Sequence, residues 1–151
     1  MTLIADPLAD AAPVEVPLAK APLVRVIAQV RFPEVLAVEQ RDFVAPFQEA
    51  IRPIYHVLRQ EQTQGVIITP LGVQPVKPQT AWRFSDVEGG WRVSLTPEFL
   101  ALETTRYTSR ADLLARFQTV LAALDEHVEP KLTDRLGLRY IDRITGSAVE
   151  D

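Results

Sequence analysis

Glu103 is the side chain that comes nearest to a chemical signature in this chain, because its carboxylate stands in a short segment that is apolar on both sides. Leu100 and Leu102 form one face, while an aromatic residue and an alanine share the face of the carboxylate. An unpaired carboxylate is costly in apolar surroundings, so Glu103 needs a nearby cation or a strand end. The pattern predicts a structural ion pair with Arg139, or with Arg106 nearby in sequence. The alternative is a general acid or base that acts with Arg139 in a cleft.

Other familiar catalytic patterns are missing from the sequence. The two histidines, His56 and His127, lie in predicted helical segments, and neither has a second ligand at metal-binding spacing. The chain has no cysteine, which excludes disulfides, thiolate metal sites and a cysteine nucleophile. It also has no glycine-rich phosphate loop and no nucleophile elbow. We therefore predict no catalytic, cofactor-binding or metal-binding residue and no cofactor, and we favour a non-enzymatic protein over an enzyme that uses Glu103 with Arg139.

Length and charge favour one globular domain without an obvious whole-chain partner. The 151 residues are 47% hydrophobic and carry a net charge of −4, which is not the basic balance typical of nucleic-acid-binding proteins. No apolar run approaches the roughly 20 residues of a membrane span, and the start of the chain does not resemble a secretory signal. We expect a cytoplasmic protein without a membrane partner.

Proline placement divides the chain. Four prolines within residues 1–22 predict a flexible or extended arm, which is either disordered or docked on a surface. Residues 23–144 are predicted to form a single domain, and residues 145–151 a frayed tail.

The apolar spacing within this domain predicts two helices and six strands. Helix 41–60 has an apolar stripe that Pro53 should kink or break. Thr108 or Ser109 should cap a second helix, with Asp112 three residues after Ser109 as a capping-box-like acid, and this helix ends before Pro130. Alternation or β-branched runs predict strands at 24–32, 66–69, 81–87, 91–95, 99–104 and 135–144, and prolines with Gly72 predict a loop or arm at 70–78. The order β-α-β-β-β-β-α-β indicates an α+β fold, with a mostly antiparallel sheet and two helices packed on one face.

Arginines concentrate on the predicted second face of the sheet. Thirteen of the 16 cationic residues are arginine, the residue favoured for bidentate or partly buried contacts. Strand parity places seven of them on the face that the helices leave open, and these form the candidate interface: Arg25, Arg31, Arg83, Arg92, Arg135, Arg139 and Arg143.

Three interpretations of this arginine face stay open at the level of sequence. The guanidinium groups could lie over the sheet and keep it hydrated. They could form a protein interface, either with a second copy, as a homodimer, or with another protein, joined through this face or through strand edges. They could also bind nucleic acid or another anion. The last is less favoured because Trp82, Phe84 and Trp91 share parity with core residues and are not placed for base stacking.

Two sequence blocks carry a resemblance to a known family. These are Trp91-Arg-Val-Ser-Leu-Thr-Pro-Glu-Phe-Leu-Ala-Leu-Glu-Thr104, followed by Tyr107, and Arg135-Leu-Gly-Leu-Arg-Tyr-Ile-Asp-Arg-Ile144. The chain resembles a sporadically distributed bacterial family of uncharacterised proteins marked by "sLt…flaLeTt.Y" and "RiGLRYiN" blocks. Asp142 stands where asparagine is common in that family. The resemblance covers about residues 22–144 and implies no catalytic residue, because the family has no established activity. Family members usually continue beyond the second block, so this chain is expected to correspond to their N-terminal half.

Overall fold

The protein is described by a computed structural model that covers residues 23–143. The predicted arm at 1–22 and the predicted tail at 145–151 lie outside these described residues. The elements are β1 (Leu23–Arg31), a short 3₁₀ helix (Leu36–Glu39), α1 (Arg41–Ile51), β2 (Val57–Thr69), β3 (Gly72–Ser85), β4 (Trp91–Leu95), β5 (Phe99–Thr104), α2 (Arg110–His127) and β6 (Arg135–Asp142).

One antiparallel sheet organises the fold. Its six strands lie in the order β2-β3-β4-β5-β1-β6, so β2 and β6 form the two edges. The element order and the α+β class agree with the prediction from sequence. β1 is the strand that links the hairpin series to the last strand, because it pairs with β5 on one side and with β6 on the other.

The hydrophobic core lies between the helices and one face of the sheet. Val26, Ala28 and Val30 are buried on this face of β1, as the alternation of that strand predicted. The other buried hydrophobic strand residues on the same face are Trp82, Phe84, Trp91, Val93, Leu95, Leu100 and Leu102. We call this side of the sheet the helix face and the opposite side the open face.

The helices are held on the sheet by aromatic contacts and by apolar stripes. Phe47 of α1 packs against Phe84 of β3 with ring centroids 5.6 Å apart. The buried Trp82 indole donates a hydrogen bond from Nε1 to the carbonyl of Val38, 2.7 Å away. In α2 the buried residues are Leu113, Phe117, Val120, Ala123 and Leu124.

The helix predicted over residues 41–60 ends at Ile51, so the break expected at Pro53 is confirmed and the helical prediction beyond it is wrong. Pro53 lacks the amide hydrogen that a continuing helix would need, and the chain turns at residues 52–54. It then enters β2 at Val57. The apolar spacing continued past the proline, but Leu58 belongs to a strand and pairs with Phe84.

Of the loop or arm predicted at residues 70–78, the loop is wrong, because most of this segment belongs to β3. Pro75 and Pro78 are tolerated there because only Trp82–Ser85 of β3 pair with β4, which leaves the earlier part without a second neighbouring strand. The pairing also shifts register between Thr63 and Gly65 of β2, opposite Pro78. Beyond this irregularity β2 and β3 project from the sheet as a two-stranded arm, residues 65–76.

Substitution of Ser109 tests whether its side chain stabilises the N-terminus of α2. Its side-chain oxygen accepts a hydrogen bond from the amide of Asp112, 3.1 Å away, as the capping pattern predicted. We expect Ser109→Ala to lower the free energy of unfolding by about 1 kcal/mol, because a helix amide loses its acceptor. Ser109→Asp keeps an acceptor and is the control. Equal losses in both variants, measured by urea unfolding, would contradict this role of the cap.

Candidate functional site

The open face of the sheet carries the predicted cluster of arginines. Arg25, Arg31, Arg83, Arg92, Arg135 and Arg139 lie in strands with the parity of this face, and Arg143 directly follows the end of β6 and is exposed. Arg59 joins the same face because it pairs with Arg83. It was missed in the sequence because residues 41–60 were predicted to be helical.

Glu103 is the acid at the centre of this face. Its side chain is only 14% exposed and is paired with two arginines: Arg92, which also donates a hydrogen bond to it from Nε, and Arg25, whose Nη1 lies 3.6 Å away. The predicted pairing with Arg139 is wrong. Arg139 lies in β6, and β1 separates β6 from the strand of Glu103, with Ile27 opposite both residues. The pair proposed for acid–base chemistry is therefore not assembled, and Glu103 has the environment of a structural carboxylate.

A second ion pair lies further along the same face. Nε of Arg83 lies 2.5 Å from a carboxylate oxygen of Glu61, and its Nη1 donates to the Ser94 hydroxyl at 2.7 Å. The hydrogen bond from Arg83 holds the pKa of Glu61 below its ordinary value. The pair therefore contributes stability above that ordinary pKa, and this contribution is lost as the pH falls through the lowered pKa. Arg31 also has an acidic partner, since its Nη2 lies 3.5 Å from a carboxylate oxygen of Glu98.

Arg135 and Arg139 differ from these paired arginines. Neither guanidinium group forms a hydrogen bond or an ion pair with any residue in the range 23–143. Between them in β6 stands Gly137, opposite Gln29 of β1. A Cβ atom at Gly137 would meet no other atom within 4 Å. The result is a shallow hollow of about 250 Å³ on the open face, flanked by two uncompensated positive charges.

The helix face of β6 is apolar and uncovered. Leu136, Leu138 and Tyr140 continue the rows of Val30, Ala28 and Val26 across the sheet, yet they are 65%, 48% and 45% exposed, whereas the β1 residues are buried. The Tyr107 ring contacts Tyr140 edge-on, with centroids 5.9 Å apart. On its outer side β6 pairs with no strand among the described residues. An accessible strand edge with an apolar face is a surface suited to pairing with another chain.

The opposite edge has a different character. In the part of β2 that flanks the core, the helix-face positions after Leu58 are Gln60 and Gln62, and Arg59 and Glu61 occupy the open face. Charged and polar residues on an edge strand disfavour pairing with other chains. Of the two edges that flank the core, β6 is therefore the apolar one.

The projecting arm is a second exposed apolar surface. Its side chains are accessible on both faces of the two-stranded ribbon, with Ile68 82% and Leu71 93% exposed. The other exposed apolar residues of the arm are Val66, Ile67, Val73 and Val76. At the base of the arm, Gly65 and Val76 line a shallow hollow together with Leu36 and Glu39 of the 3₁₀ helix. Further out, Ile68 and Leu71 are largely without packing within residues 23–143.

The histidines have local roles only. His56 Nδ1 lies 2.6 Å from the backbone oxygen of Arg52, and His127 lies 3.8 Å from Glu126. Across residues 23–143 no group of three or more histidine or acidic side chains is placed to hold a metal ion. No helix of this part of the chain is long and apolar enough to cross a membrane.

Comparison of the chain with protein-family models and with curated protein sequences finds no match.

Glu103 and Glu61 form a matched pair for testing the open-face network. We expect Glu103→Gln to lower the free energy of unfolding by about 1–2 kcal/mol, because it leaves Arg25 and Arg92 close together without their shared counter-charge. Glu61→Gln should cost less than about 1 kcal/mol, because that carboxylate is 47% exposed and its pair is screened by solvent. Urea unfolding of both variants provides the comparison. A Glu103→Gln protein as stable as the native chain would contradict a structural role for Glu103.

Proposed function

We propose that this chain is a protein-interaction module that pairs with a protein partner through the edge strand β6. The observation that carries the proposal is the exposure of Leu136, Leu138 and Tyr140 on a strand whose outer side is unpaired within the described residues. This develops the hypothesis from sequence that the arginine-bearing face or a strand edge forms an interface.

Strand addition would use both the unpaired backbone edge of β6 and its exposed apolar side chains. An incoming strand would satisfy the outward-directed backbone amides and carbonyls of the edge, and its side chains on one face would cover the three apolar residues. Burying the remaining exposed area of such side chains is favourable by about 25 cal/mol per Å². The backbone hydrogen bonds provide affinity for any extended segment, and the apolar row provides a preference for segments with matching apolar residues.

The open side of the same strand adds a second element of recognition. Arg135 and Arg139 project on the face opposite the apolar row and have no acidic partner within residues 23–143. A strand that joins β6 could present acceptors or carboxylates to these guanidinium groups while its alternate residues pack on the other face. We infer that the two faces of β6 act together in selecting a partner.

Leu136→Lys tests this proposal directly. Leu136 is already 65% exposed, so the substitution should change the free energy of unfolding by less than about 0.5 kcal/mol. It should weaken association by about tenfold or more, because a charge is placed in the apolar row that the partner covers. Sedimentation and pull-down with purified protein measure the change. Leu36→Lys, in the 3₁₀ helix, is a matched control because Leu36 is 63% exposed.

Two results would contradict the proposal. One is a native chain that remains monomeric at high concentration and also captures no protein. The other is association that Leu136→Lys and Leu36→Lys leave equally strong.

Anion binding at the hollow beside Gly137 is a second candidate function, favoured by the uncompensated charges of Arg135 and Arg139. An oxyanion between these side chains would face donors from two guanidinium groups and would meet no side chain at Gly137. Nucleic acid is the less favoured ligand of this class because Trp82 and Trp91 are buried on the helix face, 1% and 5% exposed.

The double substitution Arg135→Gln and Arg139→Gln tests this second candidate. It should abolish binding of inorganic phosphate or of a single-stranded oligonucleotide, and binding by the native chain should weaken steeply as salt is raised. Arg52→Gln is the control, because Arg52 is an exposed arginine of the turn after α1, where it pairs with Glu49. No binding by the native chain at low salt would remove this candidate.

A further inference from the structure

We propose that the partner of β6 is a second copy of this chain, paired antiparallel to it about a two-fold axis that passes beside Leu138. This inference rests on the proposed function, since it requires β6 to be the pairing edge. It adds the identity of the partner and the register of the pair.

Symmetry limits the registers that two copies of β6 can adopt. Two identical antiparallel edge strands that continue one sheet are related by a two-fold axis perpendicular to it, so one residue of β6 faces its own copy at the centre. Residues at equal distances on either side of that centre then face each other and point to the same side of the sheet. Each symmetric pairing is therefore defined by its central residue alone.

A centre at Leu138 makes the helix face apolar over the paired residues 135–141. Leu138 faces its own copy, and Leu136 faces Tyr140 of the second molecule on both sides of the axis. These three side chains are the exposed apolar residues of β6. The pairing would cover them with one another and would use seven of the eight residues of the strand, from Arg135 to Ile141.

The open face selects the same centre. With the axis at Leu138, Arg139 faces Gly137 of the second copy, and Arg135 faces Ile141. A Cβ atom at Gly137 would have no neighbour within 4 Å. The aliphatic part of the Arg139 side chain from the second copy therefore has room to lie over Gly137. No arginine faces an arginine directly.

Each neighbouring centre is worse either in facing charge or in length of overlap, and an axis at Tyr140 leaves only residues 138–142 of the strand to overlap. An axis at Gly137 sets Arg135 directly against Arg139, and an axis at Arg139 sets that residue against itself, which places like charges in facing positions. An axis at Leu136 shortens the overlap to the first three residues of the strand. The distribution of arginine and glycine along β6 therefore favours Leu138 as the centre.

The other edge of the core supports a closed pair over an open chain of copies. The part of β2 that flanks the core carries Arg59, Gln60, Glu61 and Gln62, which disfavour further strand addition. Pairing through β6 alone uses the same edge on both molecules and ends at two copies, whereas pairing of β6 with β2 would continue into a fibre. We therefore expect a dimer.

Introduced cysteines test the register cleanly, because the chain contains no cysteine. Directly facing residues of antiparallel strands have Cα atoms about 4.5–5.5 Å apart, within disulfide range, whereas diagonal neighbours are too far apart. We expect Leu138→Cys to form a disulfide-linked dimer under mild oxidation. A mixture of Gly137→Cys and Arg139→Cys proteins should form the mixed dimer, while each of these variants alone should remain mostly unlinked.

Ile68→Cys, at the exposed end of the projecting arm, is the control and should remain mostly unlinked. If Leu138→Cys does not fold, as judged by circular dichroism, the mixture decides alone, since its substitutions leave the apolar row intact. The register would be overturned if the Gly137→Cys protein alone, or the Arg139→Cys protein alone, formed as much disulfide-linked dimer as the mixture of the two. Linking only through Ile68→Cys would overturn pairing through β6.

Failure of this inference can be distinguished from failure of the proposed function. A chain that is monomeric by sedimentation, forms no cysteine-linked dimer and yet binds another protein in a manner that Leu136→Lys abolishes would overturn self-pairing and leave β6 as the interaction site. A chain that neither self-associates nor binds a protein would overturn both. A reversible dimer that Leu136→Lys dissociates, together with the expected links, supports both.

Discussion

The width of the sheet relative to its cover is the constraint on which the rest of the structure depends. An α-helix with its side chains is about 10 Å across, and neighbouring strands are about 4.8 Å apart. Two helices side by side therefore cover about four strands. Within residues 23–143 this sheet has six strands, and α1, α2 and the short 3₁₀ helix cover them, so its edges must be suited to water or to another molecule.

The two edges meet this constraint in different ways. Where β2 flanks the core, it carries glutamines on the helix face and charged residues on the open face. By contrast, β6 extends the apolar rows of β1 by one more strand, with Leu136, Leu138 and Tyr140 left 45% to 65% exposed. The charges of the open face follow the same division. Glu61 and Glu103 compensate the arginines of the central strands, whereas Arg135 and Arg139 of β6 have no partner in the described part of the chain.

Local patterns in the sequence were sufficient for most elements and for the faces of the strands. Alternation in β1 and the serine cap of α2 predicted both features, because each depends on neighbours a few residues away. The helix over 41–60 was overextended because apolar spacing continued across Pro53 into a strand. The loop at 70–78 was predicted from prolines that an unpaired strand side can accept.

The contacts within the candidate site could not be predicted from any single segment of the sequence. Parity placed the arginines on one face, but the partner of Glu103 depends on strand order. β1 enters the sheet between β5 and β6, so Arg92 of the neighbouring β4 reaches the carboxylate and Arg139 does not. The exposure of the β6 leucines likewise depends on how far the helices extend across the sheet. The alternating pattern of β6 shows that these leucines share one face, but it does not show whether a helix covers that face. Strand order and helix cover are global properties of the fold.

Amide hydrogen exchange of the native chain, measured at low and high protein concentration, tests the central claim most directly. If β6 is the pairing edge, its outward-directed amides should become protected as concentration rises, while the amides of β2 from Arg59 to Gln62 should exchange at an unchanged rate. Exchange of the β6 amides that is independent of concentration, or protection that develops at β2 instead, would contradict the assignment of β6 as the edge through which copies of this protein pair.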